Sequence, residues 1–253
     1  MFALLATTLV VCAPGYPGTS AEAQPAMDSL ARALSEEAHV AGLKALYEET
    51  EAGGVRRLRQ QDAALLLSTL PFHLEHEGEF RLAARLSAVP RDGSALERWT
   101  LVAAKDHPKP LDGYVVHSTA GYSKKFVHAA APSLPRTVQI VAVTAVLSSL
   151  RRAASGEKVA VLLDGTQSAA LEKLPFASSL AVVEMSPPVP VAIVATVGKR
   201  IDERRWKTLQ PAFERLAKNP AAAESLEGVR ISAFVPLDEA ALNRARKAFR
   251  SAP

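Results

Sequence analysis

The sequence predicts an α/β fold of two lobes, each a mainly parallel sheet flanked by helices. Short apolar runs such as 159–163 alternate with segments of helical periodicity such as 201–218 along the chain. That alternation is typical of parallel strands covered by helices. Two proline-rich stretches, 106–110 and 187–190, bracket a middle segment with its own set of such runs. We therefore expect one lobe to be inserted into the other, with a ligand cleft between them.

The predicted lobes are residues 7–105 with 190–253, and residues 106–189. Residues 1–6 are interpreted as the remnant of the apolar core of an export signal, which predicts a periplasmic protein. A cleavage site after Ala13 is the alternative, and it would remove the first predicted strand. Under both interpretations, residues 1–13 lack the basic leader that a secretory signal normally carries.

The predicted elements of the first part follow from buried runs and helix start signals. Thr19 and Glu22 form a capping box, which sets the start of the first helix. The strands are predicted at 9–13, 43–47, 63–67, 80–88 and 96–104, and the helices at 19–34 and 51–60. Residues 70–76 are predicted to form a short helix or turn. A turn is predicted at 90–93.

The middle segment and the C-terminal part repeat the alternation. Strands are predicted at 113–117, 138–143, 159–164, 180–185, 191–197 and 229–235. Helices are predicted at 121–129, 144–154, 166–174, 201–218, 221–226 and 239–250.

Composition excludes several classes of protein. The net charge is +4 and the isoelectric point is about 9.3. No block of five like charges and no series of interleaved aromatics occurs, so no nucleic-acid partner is predicted. The single cysteine, Cys12, cannot form a disulfide within the chain and fits a buried strand. Lipid attachment at Cys12 would require a small residue before it, and that position holds Val11.

Candidate ligand contacts come from the junctions where predicted strands lead into helices. In open α/β sheets, ligands bind beyond the carboxyl ends of the strands, where helix N-termini attract anions. Four junctions are rich in Gly, Ser or Thr, two in each predicted lobe. Their candidate contacts are Tyr16, Ser68, Thr69, Ser118, Thr119, Gly121, Tyr122, Ser123 and Asp164.

Each candidate also has a structural interpretation. The hydroxyl groups could serve only as helix caps, and Tyr16 and Tyr122 could anchor their loops instead of lining a site. Asp164 ends an apolar strand, where it either caps the next helix or accepts hydrogen bonds from a ligand. No motif for nucleotide binding, serine hydrolysis or zinc proteolysis occurs. His73 and His76 have the spacing of two metal ligands, but an exposed polar turn is the simpler interpretation, and no metal or other cofactor is predicted.

Several segments resemble the phosphate-, phosphite- and phosphonate-type substrate-binding proteins of ABC transporters. Residues 9–25 are similar to the N-terminus of that family. Residues 159–164 resemble its strand that ends at the ligand, and 201–234 resemble its C-terminal helices and returning strand. The segment 68–73 departs from the family pattern, which has an aromatic-rich stretch there.

The resemblance implies a type-II periplasmic-binding fold, an ABC permease as partner and no catalysis. Ser118, Thr119, Gly121 and Ser123 match the helix start that receives an oxyanion, and Asp164 matches a partner for a ligand amine. The hypothesis is therefore a monomeric, periplasmic protein that closes on a small anion. The alternatives are a ligand sensor of the same fold and an enzyme with His117 or His73 beside Ser68 or Ser118.

Overall fold

The computed structural model describes residues 7–15 and 18–253 and divides the chain into two compact units. The first unit comprises the described residues up to Ala95 together with Pro190–Asp238. The second comprises Leu96–Val189 together with Glu239–Pro253. The chain therefore passes between the units three times, whereas the sequence indicated two crossings.

The strands, in chain order, are β1 (Thr7–Cys12), β2 (Leu43–Glu48), β3 (Ala63–Thr69), β4 (Leu82–Pro90), β5 (Leu96–Glu97), β6 (Thr100–Ala104), β7 (Val115–Ser118), β8 (Gln139–Ala142), β9 (Val159–Leu163), β10 (Leu180–Met185), β11 (Val189–Pro190), β12 (Ala192–Val197) and β13 (Ile231–Pro236). The α-helices are α1 (Ser20–Ala38), α2 (Glu51–Leu58), α3 (Leu70–Phe80), α4 (Lys124–Ala130), α5 (Leu147–Ala154), α6 (Gly165–Leu171), α7 (Glu203–Arg215), α8 (Ala223–Gly228) and α9 (Glu239–Ser251).

The first unit is built on a six-stranded sheet of order β13-β4-β12-β3-β1-β2. β1 runs parallel to β2 and β3. β12 is antiparallel to both β3 and β4, and β13 is antiparallel to β4. The sheet is thus mixed, because the strands that return from the second unit run opposite to those that precede it.

The larger core of the first unit lies between this sheet and α1, α7 and α8. α1 buries Met27, Leu30 and Leu34, at the spacing of one helical face. They pack with Leu65 from β3 and Phe213 from α7, which are completely buried. Clustered aliphatic and aromatic side chains from sheet and helices make this unit a folding domain with its own core.

The second unit contains a five-stranded sheet of order β10-β6-β9-β7-β8. β7 is parallel to β8 and β9, and β6 is antiparallel to β9 and β10. Val161 and Leu163 of β9 pack with Leu150 and Ala153 of α5 in this unit's core. The final helix α9 also belongs to this unit, where it packs against α4 and buries Ala241 and Leu242. The domain prediction had placed α9 with the first lobe.

Two elements differ from the prediction in ways that affect the candidate site. The strand predicted over 96–104 is divided into β5 and β6, and between them the Trp99 N–H donates to Ser186 Oγ at 2.9 Å. The polar turn predicted at 70–76 is the beginning of α3, which continues to Phe80. His73 and His76 are buried in it, although their polarity suggested exposure.

No helix in the described part of the chain combines the length and apolarity needed to cross a membrane.

Candidate ligand site

The described candidate contacts lie at, or shortly after, the carboxyl ends of strands that have a parallel neighbour. Ser68 and Thr69 end β3 in the first unit, ahead of α3. In the second unit, Ser118 ends β7 and Asp164 directly follows β9. Because β7 and β9 are parallel neighbours, the structure brings the loop after β7 next to Asp164's strand. Tyr16 lies outside the described residues.

The start of α3 lacks the cap that most helix starts in this chain have. Thr69 stands at the N-cap position, but its side chain makes no capping hydrogen bond, and the first turn holds no acidic residue. The N–H of Leu70 donates to the Val191 carbonyl at 3.2 Å, and Pro71 has no N–H. A capping side chain would normally accept from the N–H of the third helical residue. At α3 no N-cap side chain accepts from that N–H.

Ser68 adds a second group at the same place. Its side chain is 2 % exposed, and its hydroxyl has no hydrogen-bond partner among the described residues. A buried hydroxyl without a partner is destabilising unless a ligand or water satisfies it. An uncapped helix N-terminus beside such a hydroxyl can bind a small anion, since both offer donors and the helix dipole favours negative charge.

α1, the helix that follows β1, has its N-terminus filled by carboxylates of the protein itself. The Glu22 carboxylate accepts from the Thr19 N–H at 2.8 Å, and the Thr19 hydroxyl accepts from the Glu22 N–H. The Glu49 carboxylate accepts from the Ser20 N–H at 2.7 Å. An anion would have to displace these carboxylates, so this helix start has the structural function that its capping box predicted.

The start of α6 in the second unit is filled in the same way. Asp164 accepts from the Gln167 N–H at 2.8 Å, and Gln167 completes a capping box. Glu97 accepts from the Gly165 N–H, also at 2.8 Å. Both carboxyl groups thus accept hydrogen bonds from main-chain N–H groups at the start of α6.

The pKa values of both carboxyl groups are raised in the fold. Burial and, next, the charge of Asp164 raise the pKa of Glu97 to about 8, although the Gly165 N–H opposes the shift. Burial raises the pKa of Asp164 as well, against the hydrogen bonds from the Gln167 and Thr166 N–H groups. Sequence reasoning missed Glu97, because it lies 67 positions before Asp164 in an element too short to show periodicity.

The loop between β7 and α4 uses its side chains mainly for its own structure. The Ser118 hydroxyl donates to the Leu162 carbonyl and accepts from the Ala120 N–H. Ser123 caps α4 by accepting from the Phe126 N–H. Thr119 is buried between them, and Tyr122 is half-buried.

Gly121 fixes how closely this loop approaches the neighbouring strand. A Cβ at that position would lie 2.6 Å from both the Val141 carbonyl oxygen and the Ala142 nitrogen. Only glycine permits this contact with backbone atoms. The glycine that the sequence singled out is therefore required by packing.

The histidines considered for metal or catalysis lie beside carboxylates or, for His117, beside a serine hydroxyl. His76 contacts the carboxylates of Glu51 and Glu79, and His73 lies 3.5 Å from Glu77. The Nδ1 atom of His117 lies 2.7 Å from the Ser149 hydroxyl, and burial lowers the pKa of His117. Within residues 7–15 and 18–253, no group of three His, Cys, Asp or Glu side chains could hold a metal ion.

No protein-family model and no curated protein sequence matches the chain. Solved structures do match it in fold. A Xanthomonas citri protein, solved bound to chloride and also bound to ATP, is similar with TM-scores of 0.76 and 0.74 at 15% and 16% identity. In both cases the match covers 96% of this chain and 97% of the other.

Two further solved structures carry a description of their ligand or transporter. One is a binding-protein component of an ABC phosphonate transporter from Pseudomonas aeruginosa, with a TM-score of 0.64, 14% identity, and coverage of 96% and 85% of the two chains. The other is a Prochlorococcus marinus protein in complex with methylphosphonate, with a TM-score of 0.59, 13% identity, and coverage of 97% and 98%. The chain therefore has the α/β fold of the two-lobed, type-II periplasmic binding proteins.

Proposed function

We propose that this protein is an exported solute-binding protein that binds a small anion and delivers it to an ABC permease. The observation that carries the proposal is the start of α3, where an uncapped N-terminus lies beside the buried, unpartnered hydroxyl of Ser68. Its ligand class is an oxyanion such as phosphate or a phosphonate. The protein acts without catalysis, as a monomer.

Comparison of the helix starts supports an anion at α3. The start of α5 also lacks a side-chain cap, and what distinguishes α3 is the buried hydroxyl of Ser68, which has no partner among the described residues. α1 and α6 already hold carboxylates at their N-termini, and Ser123 caps α4. α3 follows β3, at the sheet edge where the candidate contacts lie. Its first turn has neither an acidic residue nor a capping hydrogen bond from a side chain. An oxyanion there would accept hydrogen bonds and also benefit from the helix dipole.

In the second unit the proposed contacts are the loop Ser118, Thr119, Gly121, Tyr122 and Ser123, together with Asp164. Since the hydroxyl groups of Ser118 and Ser123 bond within the loop, main-chain N–H groups are the donors it would offer. Asp164 is proposed to accept from a ligand amine or hydroxyl, and Tyr16 to contact the ligand from the loop after β1. The solved neighbours described with a phosphonate transporter and with methylphosphonate support this ligand class.

The test is calorimetric titration and thermal unfolding of the purified chain with phosphate, methylphosphonate, aminoethylphosphonate, sulfate and amino acids. A ligand at 100 times its dissociation constant should stabilise the fold by about 2.7 kcal/mol. We expect one oxyanion to raise the melting temperature by several degrees.

Ser68→Ala should weaken that ligand about tenfold, which corresponds to losing one hydrogen bond to a charged group. Ser87→Ala is the matched control, because Ser87 is also buried and its hydroxyl also has no partner among the described residues. Ser87 lies on β4. Ser68 and Ser87 both pair with Ile193 of β12, the strand between β3 and β4. Equal effects of the two substitutions, or a response to amino acids alone, would contradict the proposal.

A further inference from the structure

The surface formed by α4 and α9 in the second unit carries an unusual excess of positive charge. α9 has Glu239 in its first turn and then Arg244, Arg246, Lys247 and Arg250, with no further acidic residue. α4 packs against α9 and contributes Lys124 and Lys125. We define the basic face as the side chains Lys124, Lys125, Arg244, Lys247 and Arg250.

These cations project into solvent without carboxylate partners. Lys124, Arg244, Lys247 and Arg250 are exposed, and none makes an ion pair with any described residue. Arginines elsewhere on the surface form ion pairs, such as Arg59–Glu79 and Arg215–Glu37. Lys125 packs over the Phe249 ring, with its Nζ 5.2 Å from the ring centre, which holds α4's charge against α9.

The spacing of the cations along α9 places like charges next to one another. Arg244, Lys247 and Arg250 follow one another at intervals of three residues, so each lies beside the next on one side of the helix. Like charges at this spacing destabilise a helix. A partner that supplies negative charge would remove that repulsion.

The lack of apolar anchors on this face distinguishes between the classes of anionic partner. Protein interfaces depend on a few buried aromatic or aliphatic side chains at their centre. The large apolar side chains exposed in the described part of the chain are Leu147, Val182 and Met185, and none lies on α4 or α9. Between Lys247 and Arg250 α9 exposes the small Ala248, so the helix can approach a flat charged plane closely. Single-stranded nucleic acid would need exposed aromatic rings for stacking, whereas Phe249 on this face is half-buried, with Lys125 over its ring.

We propose that the basic face binds the anionic phospholipid headgroups of a membrane surface. Clustered Lys and Arg side chains bind such surfaces by electrostatic attraction, without insertion and with strong dependence on salt. This binding does not depend on the identity of the solute. It would keep the protein near the membrane while leaving it free to exchange.

The test is sedimentation of the full chain with vesicles of phosphatidylcholine alone, or with 30% phosphatidylglycerol, at low and high salt. The charge-loss variant is Lys124→Gln, Arg244→Gln, Lys247→Gln and Arg250→Gln. Its matched control is Lys199→Gln, Arg204→Gln, Lys207→Gln and Lys218→Gln, which removes four exposed cations from the first unit. Circular dichroism and thermal unfolding establish that both variants are folded.

We expect binding to phosphatidylglycerol vesicles at low salt, no binding to phosphatidylcholine, and release at high salt. The charge-loss variant should bind at least about tenfold more weakly, since each basic residue near such a surface contributes substantially, while the control stays within about twofold. Equal loss in both variants would show that only net charge matters and would overturn the proposal. Absence of vesicle binding, or tighter binding to a single-stranded oligonucleotide of equal charge, would overturn it too.

Discussion

The starts of α3 and α6 occupy equivalent places in the two units but differ in how their N-termini are satisfied. Each helix follows the carboxyl end of a strand that has a parallel neighbour. At α6, Asp164 and Glu97 accept from the N–H groups of the first turn. At α3, Thr69 makes no capping bond and no carboxylate is present. The same topology thus gives one helix start whose N–H groups bond to carboxyl groups and one without such groups.

This difference teaches that position at a strand end does not by itself make a ligand contact. What matters is whether the chain has already used the donors there. Asp164 has its capping box, and the residues around Thr69 have none. A functional assignment therefore has to follow from the hydrogen bonds that remain unmade.

The largest effect is expected from converting the start of α3 into that of α6. Thr69→Asp should cap the helix, raise the melting temperature of the ligand-free protein, and weaken the oxyanion at least 100-fold. Two like charges 4 Å apart repel by about 4 kcal/mol near a protein surface. Calorimetric titration measures the affinity.

Thr69→Asn is the matched control for this substitution, because asparagine caps equally well but carries no charge. It should stabilise the helix and weaken the anion much less than Thr69→Asp does. If the aspartate variant binds the oxyanion as tightly as the original chain, the anion does not lie at α3.

The carboxyl pair at α6 should make the stability of the chain depend on pH. The pKa of Glu97 is about 8 in the fold, against an ordinary value of 4.5. Between these values the folded chain holds a proton that the unfolded chain releases, so stability falls as pH rises through this window. Asp164 acts in the same direction.

Glu97→Gln should remove most of this dependence, because the amide oxygen can still accept from the Gly165 N–H. Between pH 5 and pH 8.5, the melting temperature of Glu97→Gln should fall by at least about 3 °C less than that of the original chain. Glu184→Gln in the same unit, where the carboxylate bonds to Ser133 near the surface, is the control. Parallel melting curves for all three proteins across pH would contradict the assignment.

How much of this could be predicted from sequence depends on the range of each interaction. Local signals were sufficient for the capping box at Thr19 and Glu22 and for the strand ending before Asp164, because neighbours in the chain determine them. The alternation of strands and helices was enough to identify the fold class. The pairing of Glu97 with Asp164 joins distant parts of the chain, and no periodicity indicates it.

The features of the structure that differ from the prediction show the same limit. α9 joins the second unit through its packing on α4, which depends on tertiary contacts and not on the proline-rich stretches used to place boundaries. The strand predicted over 96–104 is interrupted between β5 and β6, where Trp99 bonds to Ser186, 87 positions away. Whether Ser68 is partnered, the point on which the site depends, is likewise decided by packing.

A smaller effect is expected at Ser118, whose hydroxyl serves the structure of the second unit. Ser118→Ala leaves the Leu162 carbonyl and the Ala120 N–H without this partner in a buried loop. The loss should be about 1–3 kcal/mol in the free energy of unfolding. Chemical denaturation measures it.

Ser87→Ala is again the comparison, since its hydroxyl loses no hydrogen bond with a described residue. It should be close to neutral or stabilising. A loss at Ser118 no greater than that at Ser87 would show that the two hydrogen bonds contribute little.

The smallest effect is expected at Ser123, where a cap and a ligand contact predict different results. Ser123 accepts from the Phe126 N–H at 3.2 Å, so Ser123→Ala should lower the stability by about 1 kcal/mol. Ser123→Asp should restore the cap and the stability, as Asp164 does at α6. If this loop also contacts the oxyanion, the aspartate variant will bind it more weakly than the alanine variant does, although it is the more stable of the two. If both variants bind equally well, Ser123 acts only as a cap, and the anion is held by the start of α3 without help from this side chain.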